Sequence, residues 1–545
     1  MQRGEMRAHE KSLPVFQDDI GFVDLRPAGT QAFDLPALQD KPGFIGIFYE
    51  VIVPSPAIER DDPRSLFFGF VTHWQIIEGG YTTGMNIRDS SYGYWSSNGS
   101  FLWVTGGAVI GIGNVTRLPY LMSEYGGLVF LGAYLLALLL VSLPLLTTEW
   151  MMGRWMRDDL VNGFIKIAQT ANARREWALI GLLSLIGAIL VLSFYSVIAG
   201  WSGAYAIRSA TGIASGMNEA EARALFLSLA QDPERGLSWH TIFMVFTTII
   251  VAHGFKDGIE HAAKRLVPAV LILATIIFFY ALNHGNTDAT LQYLMAPNLS
   301  KFGWRGVLEA IQQAFFTVAL GMGSMMAMGS YLPADAPIKK LALATIAIDT
   351  AFSLIIGFAV FTLVLNAKLV PVSGLAMLFE VLPRALPLGM SGILILVAFY
   401  AMLFLSTLAA AITLLEGVTR LHMDWQRYTR VFAAMTAAVM IWFLGIGSLL
   451  SFSVLQEHRL FGRNFFEWMQ FLTAGCFTPL TGLMLCVFSS RIVPLELAKR
   501  AFGESESMLF NIWAWTLRFP ARIALILLLL YSAGLLDWLA NLWNL

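Results

Sequence analysis

The chain has 545 residues, of which 57% are hydrophobic and only 13% charged, and its mean hydropathy is +0.64. Soluble domains carry roughly 25% charged residues, so a string of soluble domains is excluded and a polytopic membrane protein embedded in a lipid bilayer is expected. A net charge of −1 removes any basic face for nucleic acid, and the two cysteines, Cys476 and Cys486, share one apolar run, which supports neither a disulfide framework nor a thiolate metal site.

In chain order, residues 1–94 are polar and mixed, so no cleavable signal peptide is expected. The strand-like stretches Phe44 to Val53 and Leu66 to Trp74 predict a small cytoplasmic appendage, to which the sequence assigns no role. Eleven apolar runs follow, near 100–123, 128–152, 177–207, 238–254, 262–284, 305–332, 341–366, 388–416, 430–452, 466–490 and 508–537. Each approaches or exceeds the roughly 20 residues that cross the hydrocarbon core as a helix. The fourth is the shortest and is flanked by His240 and His253. Alternate loops are rich in Lys and Arg (Arg154, Arg157, Lys166, Lys256, Lys264, Lys339, Lys340, Arg420, Arg427, Arg491 and Lys499 among them). That bias puts the N-terminus in the cytoplasm, and an odd number of spans puts the C-terminus outside.

Two runs are interrupted by glycine in the same way. The first contains Gly106, Gly107, Gly111 and Gly113; the sixth contains Gly321 and Gly323. Glycine costs roughly 1 kcal/mol in a helix interior. Close helix packing is one explanation. Position favours another: spans one and six are corresponding members of two five-helix halves, and paired breaks of this kind mark a transporter's substrate site near the midplane. Unwound backbone there frees carbonyls for a cation and aims helix N-termini at a carboxylate. Asp349 stands alone in the seventh run, and an ionisable group inside a span is a functional candidate by default, although a wet vestibule would also accept it. Arg117, Glu124 and Glu149 stand at span ends, where an interfacial role is the plain alternative.

The stretch Gly111 to Pro119 (GIGNVTRLP), Glu124 to Gly127 (EYGG) and Glu149 to Arg154 (EWMMGR) resembles the neurotransmitter:sodium symporter family. Gly258 to Lys264 with Pro268, and Gln313 to Gly323 (QAFFTVALGMG), agree with it in order along the chain. The resemblance implies an all-α membrane fold of about eleven spans with helices one and six broken. It divides the chain into a transporter domain over 95–540, with inverted repeats at about 95–285 and 303–490 and an extra helix at about 508–537. Within the family, the bacterial amino-acid transporters fit this span count, which implies a bacterial inner membrane.

Carried over residue by residue, the resemblance implies a small-molecule substrate whose α-carboxylate meets the backbone from Val109 to Gly113 and the Tyr195 hydroxyl. Its amine would meet carbonyls near Phe316 and Ala319, and its side chain a pocket of Ala108, Ile112, Val191, Phe316, Thr317, Ala319, Met322, Ala410 and Leu414. Gly111 stands where biogenic-amine transporters carry aspartate, which favours an amino acid, and the apolar lining favours a neutral hydrophobic one. A first sodium site would use the Val109 carbonyl, Asn114, Thr317 and Asp349, the last in place of the usual asparagine. Proton and sodium would then compete for one carboxylate. A second site is degraded: Gly107, Ile110 and Ser406 remain, but Ala409 and Ala410 replace two hydroxyl ligands. A chloride site would use Tyr134, Gln313, Thr317 and Ser353, yet an ionised Asp349 beside it would repel the anion. The outer gate would pair Arg117 with Glu467, or with a water held by Gln470. The inner gate would use Trp95 and Asp424, with Tyr92 where an arginine is usual and Arg88 as a substitute.

Two other classes compete. A membrane-embedded enzyme would need a catalytic cluster, but the eight histidines are scattered and no HExxH pattern occurs. A transporter-like sensor that binds an amino acid without moving it is the alternative that the altered second ion site and the N-terminal extension favour.

Overall fold

The computed structural model describes residues 93–502 and 508–542. The two strand-like stretches, Arg88 and Tyr92 therefore lie outside the described residues. Among the described residues every named element is helical, and the one β-bridge joins Leu460 to Arg463. Nine of the described helices are long and apolar enough to cross a membrane: Leu128–Met156, Arg175–Ala210, Pro233–Ala252, Phe255–His284, Ile338–Asn366, Met390–Gln426, Arg430–Leu450, Phe465–Ile492 and Met508–Ser532. They match the second to fifth and seventh to eleventh apolar runs. The first run is a bent pair, Asn98–Val109 and Ile112–Glu124, whose halves meet at 60°. The sixth is two helices, Trp304–Thr317 and Ser324–Gly329, with residues 318–323 unwound between them.

Local chemistry sets the ends. Ser97 accepts the Ser100 N–H at 3.0 Å to start the first span, and Asp232 caps the fourth just before Pro233. Asn464 and Glu467 form a capping box at the start of the tenth, each side chain accepting the other's backbone N–H at 2.9–3.0 Å. The eighth span runs ten residues past the apolar run, to Gln426. Its last turns carry Glu416, Arg420 and Asp424, which hydropathy rejects but helical geometry places on one face at i, i+4 and i+8.

Burial sorts the spans. The third, seventh and eighth have 61% of their apolar windows buried, the fifth only 28%, so the former three line the centre and the fifth is peripheral. Exposed stripes such as Ile272, Ile276 and Phe279, or Phe432, Met435, Val439 and Phe443, recur at helical spacing and present apolar surface to lipid. The second span meets the Ser324–Gly329 half of the sixth so closely that a Cβ on Gly153 would lie 2.0 Å from the Met326 carbonyl oxygen.

Gly153→Ala is therefore expected to wedge those helices apart at a cost of about 1–3 kcal/mol, read as a lower melting temperature of the purified protein. Gly132→Ala, on the same span with nothing within 4 Å of the new methyl, should leave stability unchanged or slightly raised. Equal melting temperatures for the two variants would contradict this packing.

Candidate functional site

The two helix breaks converge on a buried carboxylate. In the first break, Ile110 is extended (φ −79°, ψ 116°), and the Gly111 N–H leaves the helical ladder to donate to Asn114 Oδ1 at 2.8 Å. In the sixth, Ala319, Gly321 and Gly323 all take positive φ (52°, 74° and 72°), a conformation glycine adopts without strain. The Gly321 N–H is taken up by Glu149 Oε1 at 2.7 Å, from a side chain with no solvent exposure. Glu149 is thus not interfacial; it replaces the helical acceptor that the break removes.

Asp349, also wholly buried, gathers the rest. Its Oδ1 accepts from Asn114 Nδ2 at 2.6 Å and from Thr317 Oγ1 at 2.8 Å, and its Oδ2 from the Tyr134 hydroxyl at 3.2 Å. Ser353 donates to the Asp349 carbonyl at 2.8 Å and accepts from Asn114 Nδ2 at 2.6 Å. Both breaks are hence tied to one carboxylate, Thr317 directly and Gly111 through Asn114. The oxygens of Asp349, Asn114 and Thr317, with the Val109 carbonyl at the end of its helix, are a donor set that suits a hard cation. Two hydroxyls expected around chloride, those of Tyr134 and Thr317, are aimed at this carboxylate instead.

The surroundings of Gly107 differ. A Cβ there would meet Val267 Cγ2 at 2.8 Å and Ala409 Cβ at 3.0 Å, and the Ser406 hydroxyl donates to the Leu403 carbonyl at 2.9 Å. Methyl groups thus pack against Gly107, and Ala409 and Ala410 offer no hydroxyl beside Ser406 for a second cation.

The residues expected to line a substrate pocket come from the first, third, sixth and eighth spans. Ala108, Val191, Met322, Ala410 and Leu414 are buried, whereas Ile112, Tyr195, Phe316, Thr317 and Ala319 are half-buried and Gly113 is exposed. The Tyr195 oxygen lies 2.6 Å from where a Cβ on Gly111 would stand, so an aspartate at 111 would displace that hydroxyl.

Towards the end of the first span, Arg117 does not pair with Glu467. Its Nη2 meets Glu309 Oε2 at 3.1 Å and Gln312 Oε1 at 3.0 Å, while Tyr531 on the eleventh span donates to Glu309 Oε1 at 3.2 Å. Glu467 is held in its capping box and Gln470 is exposed. The acidic partner sits on the sixth span, where a lone glutamate in the first helical turns drew no attention in the sequence. Just before the first span, Trp95 donates from Nε1 to the Met328 carbonyl at 3.0 Å and packs on Phe101, Phe255 and Tyr331. Asp424 stands near Asp158 and Asp159, their carboxylate oxygens within 4.8 Å of one another. A larger cluster was missed: Tyr331 donates to Glu416, which pairs with Arg430 at 2.5 Å. Glu416 closing an apolar run was the only signal for it.

The chain matches the sodium:neurotransmitter symporter family over residues 92–216 and 222–529. It is 29% identical over 451 residues to the protein described as "Uncharacterized sodium-dependent transporter YhdH" of Bacillus subtilis (strain 168), covering 82% of this chain and 98% of that one. The "Sodium-dependent neutral amino acid transporter B(0)AT2" of Bos taurus is 27% identical over 275 residues, 44% of this chain and 36% of its own length. Among solved structures, that of MhsT in complex with L-phenylalanine is similar with a TM-score of 0.74 and 33% identity, covering 81% of this chain and 99% of that one.

Arg117→Ala and Glu309→Gln are expected to impair substrate movement by similar factors, and the double variant by little more than either alone, as two halves of one contact do. Glu467→Ala should instead lower thermal stability by about 1 kcal/mol through the lost cap and spare activity. Additive losses in the Arg117 and Glu309 pair, or a larger activity loss at Glu467, would restore the partner expected from sequence.

Proposed function

The chain belongs to the sodium:neurotransmitter symporter family, and on that premise we propose that it carries a neutral, hydrophobic α-amino acid with sodium by alternating access. Membership makes it a sodium-coupled membrane transporter and not an enzyme. The observation that carries the finer reading is the convergence of both helix breaks on Asp349. A cation held there would supply positive charge beside the unwound backbone, where a substrate carboxylate can complete its shell.

The chain's own residues account for selection. Asp349, Asn114, Thr317 and the Val109 carbonyl would hold sodium. Backbone from Val109 to Gly113 and the Tyr195 hydroxyl would orient the carboxylate, and carbonyls near Phe316 and Ala319 the amine. Val191, Phe316, Met322, Ala410 and Leu414 would bury the side chain, and a charge among them would cost several kcal/mol. The L-phenylalanine bound by MhsT and the neutral amino acids in the name of the bovine relative support the same class. No step is assigned to a second sodium, because the groups around Gly107 are apolar. Chloride is not assigned either, since its hydroxyl donors serve Asp349. The Lys and Arg bias supports a cytoplasmic N-terminus and an outer C-terminus in a bacterial inner membrane.

Uptake into proteoliposomes under an imposed sodium gradient tests the proposal. Leucine, methionine, phenylalanine or tryptophan should compete with a labelled substrate, and glutamate and lysine should not. Binding without counterflow would identify a sensor, and preference for a charged amino acid would refute the pocket. Tyr195→Phe is expected to weaken binding by about 1.5–3 kcal/mol, as for a hydrogen bond to a charged group.

Protons and sodium are expected to share the Asp349 carboxylate, so apparent sodium affinity should fall as pH falls. Asp349→Asn should remove that dependence. Sodium titrations of uptake at two pH values check this, and an unchanged pH dependence in the variant would exclude Asp349 as the shared ligand.

A further inference from the structure

The eleventh span is locally interrupted where it passes the end of the tenth. Its first helix stops at Arg518, Phe519 leaves helical geometry (φ −120°, ψ −80°), and a second helix starts at Pro520. Arg522, in the first turn of that second helix, is 9% exposed. Its Nη2 donates to the Cys486 carbonyl at 3.3 Å and to the Ser490 hydroxyl, both on the last turns of the tenth span. Its Nε is buried and makes no hydrogen bond among the described residues. The charges that act on it belong to two more arginines, Arg491 at the end of the tenth span and Arg518 one turn earlier on its own, both exposed. Among the described residues none of the three forms an ion pair.

A buried guanidinium is costly to desolvate and is normally paired with an anion. Arg522 has a carbonyl and a hydroxyl instead, which are dipoles and leave its charge uncompensated. The two spans thus bring three cations together without a carboxylate. Arginine's planar fork matches the oxygens of a phosphate, which would answer all three charges at once. The neighbouring surface is apolar. Trp515, Phe519 and Ile523 are 53%, 54% and 56% exposed, and the Trp515 and Phe519 ring centres lie 6.4 Å apart. A free phosphate would engage the arginines and leave that surface untouched. A phospholipid would engage both, its headgroup on the arginines and an acyl chain along the rings. The Lys and Arg bias supports a cytoplasmic location for this end of the tenth span, and basic pockets between spans on that side suit anionic headgroups.

We infer that Arg491, Arg518 and Arg522 form a site for the phosphodiester headgroup of an anionic phospholipid, seated between the tenth and eleventh spans. Arg522 is its buried end, and Arg491 and Arg518 are its rim. The site shares no residue with the Asp349 network and does not depend on what the protein carries.

The full-length protein, purified in a neutral detergent, is titrated with dioleoyl phosphatidylglycerol, and native mass spectrometry counts the lipid bound. Dioleoyl phosphatidylcholine, with the same chains but a zwitterionic headgroup, is expected to bind about tenfold more weakly. Arg522→Gln should weaken the tightest phosphatidylglycerol site about tenfold, the scale of one lost charge-assisted hydrogen bond. Arg491→Gln and Arg518→Gln should each weaken it about fivefold, as for a basic residue at a membrane surface. Lys499→Gln with Arg500→Gln, on the helix that follows the tenth span, should change it by less than about twofold. Equal losses at Lys499 and Arg500 would mean diffuse attraction to a basic surface and would overturn the site, as would unchanged affinity in Arg522→Gln. Millimolar inorganic phosphate should leave the lipid bound; full displacement would assign the arginines to a free anion and refute the lipid reading. If Arg522→Gln does not fold, the double variant Arg491→Gln, Arg518→Gln decides the question by the same criteria.

Discussion

A helix broken inside a membrane leaves backbone groups that neither water nor lipid can satisfy, and this constraint organises the centre of the molecule. The Gly111 N–H finds Asn114 Oδ1, and the Gly321 N–H finds Glu149. Each repair brings in a polar side chain that is itself buried. Asn114 passes its remaining donors to Asp349 and Ser353, and Asp349 draws in Thr317 and Tyr134. A network that begins as backbone repair ends as a set of oxygens able to hold a cation. The oxygen set is thus a by-product of the breaks, and the breaks cannot be removed without dismantling it.

The two clusters use charge differently. Arg117 and Glu309 keep side-chain exposures of 32% and 15%, so their attraction is screened and the contact exchanges readily with water. Glu416 and Arg420 are withdrawn from solvent, and each bond they make replaces hydration that has been given up. A partly wet contact rearranges at little cost. A dry one holds until a larger movement admits water.

Much of this was legible in the sequence, for physical reasons. Apolar runs gave the spans because hydrocarbon tolerates little else, and the glycines at 321 and 323 marked a break because few other residues take positive φ, whereas Gly111 is extended and leaves room for the Tyr195 hydroxyl. Asp349 stood out because a lone carboxylate in an apolar run needs a reason. Tertiary partners were not legible. Glu309 lies 192 positions from Arg117 in the chain, and nothing local distinguishes it from Glu467, whose role as a helix cap is clear only once the helix start is known. Hydropathy also ended the eighth span at Glu416, although the helix continues to Gln426. The window measures preference for lipid, and the charged turns beyond it are stabilised by protein contacts that the window does not contain.

The contact at Gly153 has a wider mechanical consequence. Backbone touching backbone leaves no room for the second span and the Ser324–Gly329 half of the sixth to slip past each other, so a tilt of one would carry the other. The second span also carries Leu135, Leu136 and Leu139, which are 41%, 56% and 50% exposed and present apolar surface to lipid. A tilt of that span would press these side chains against the surrounding acyl chains, so the bilayer would act as a mechanical load on the helix pair as well as a barrier between compartments.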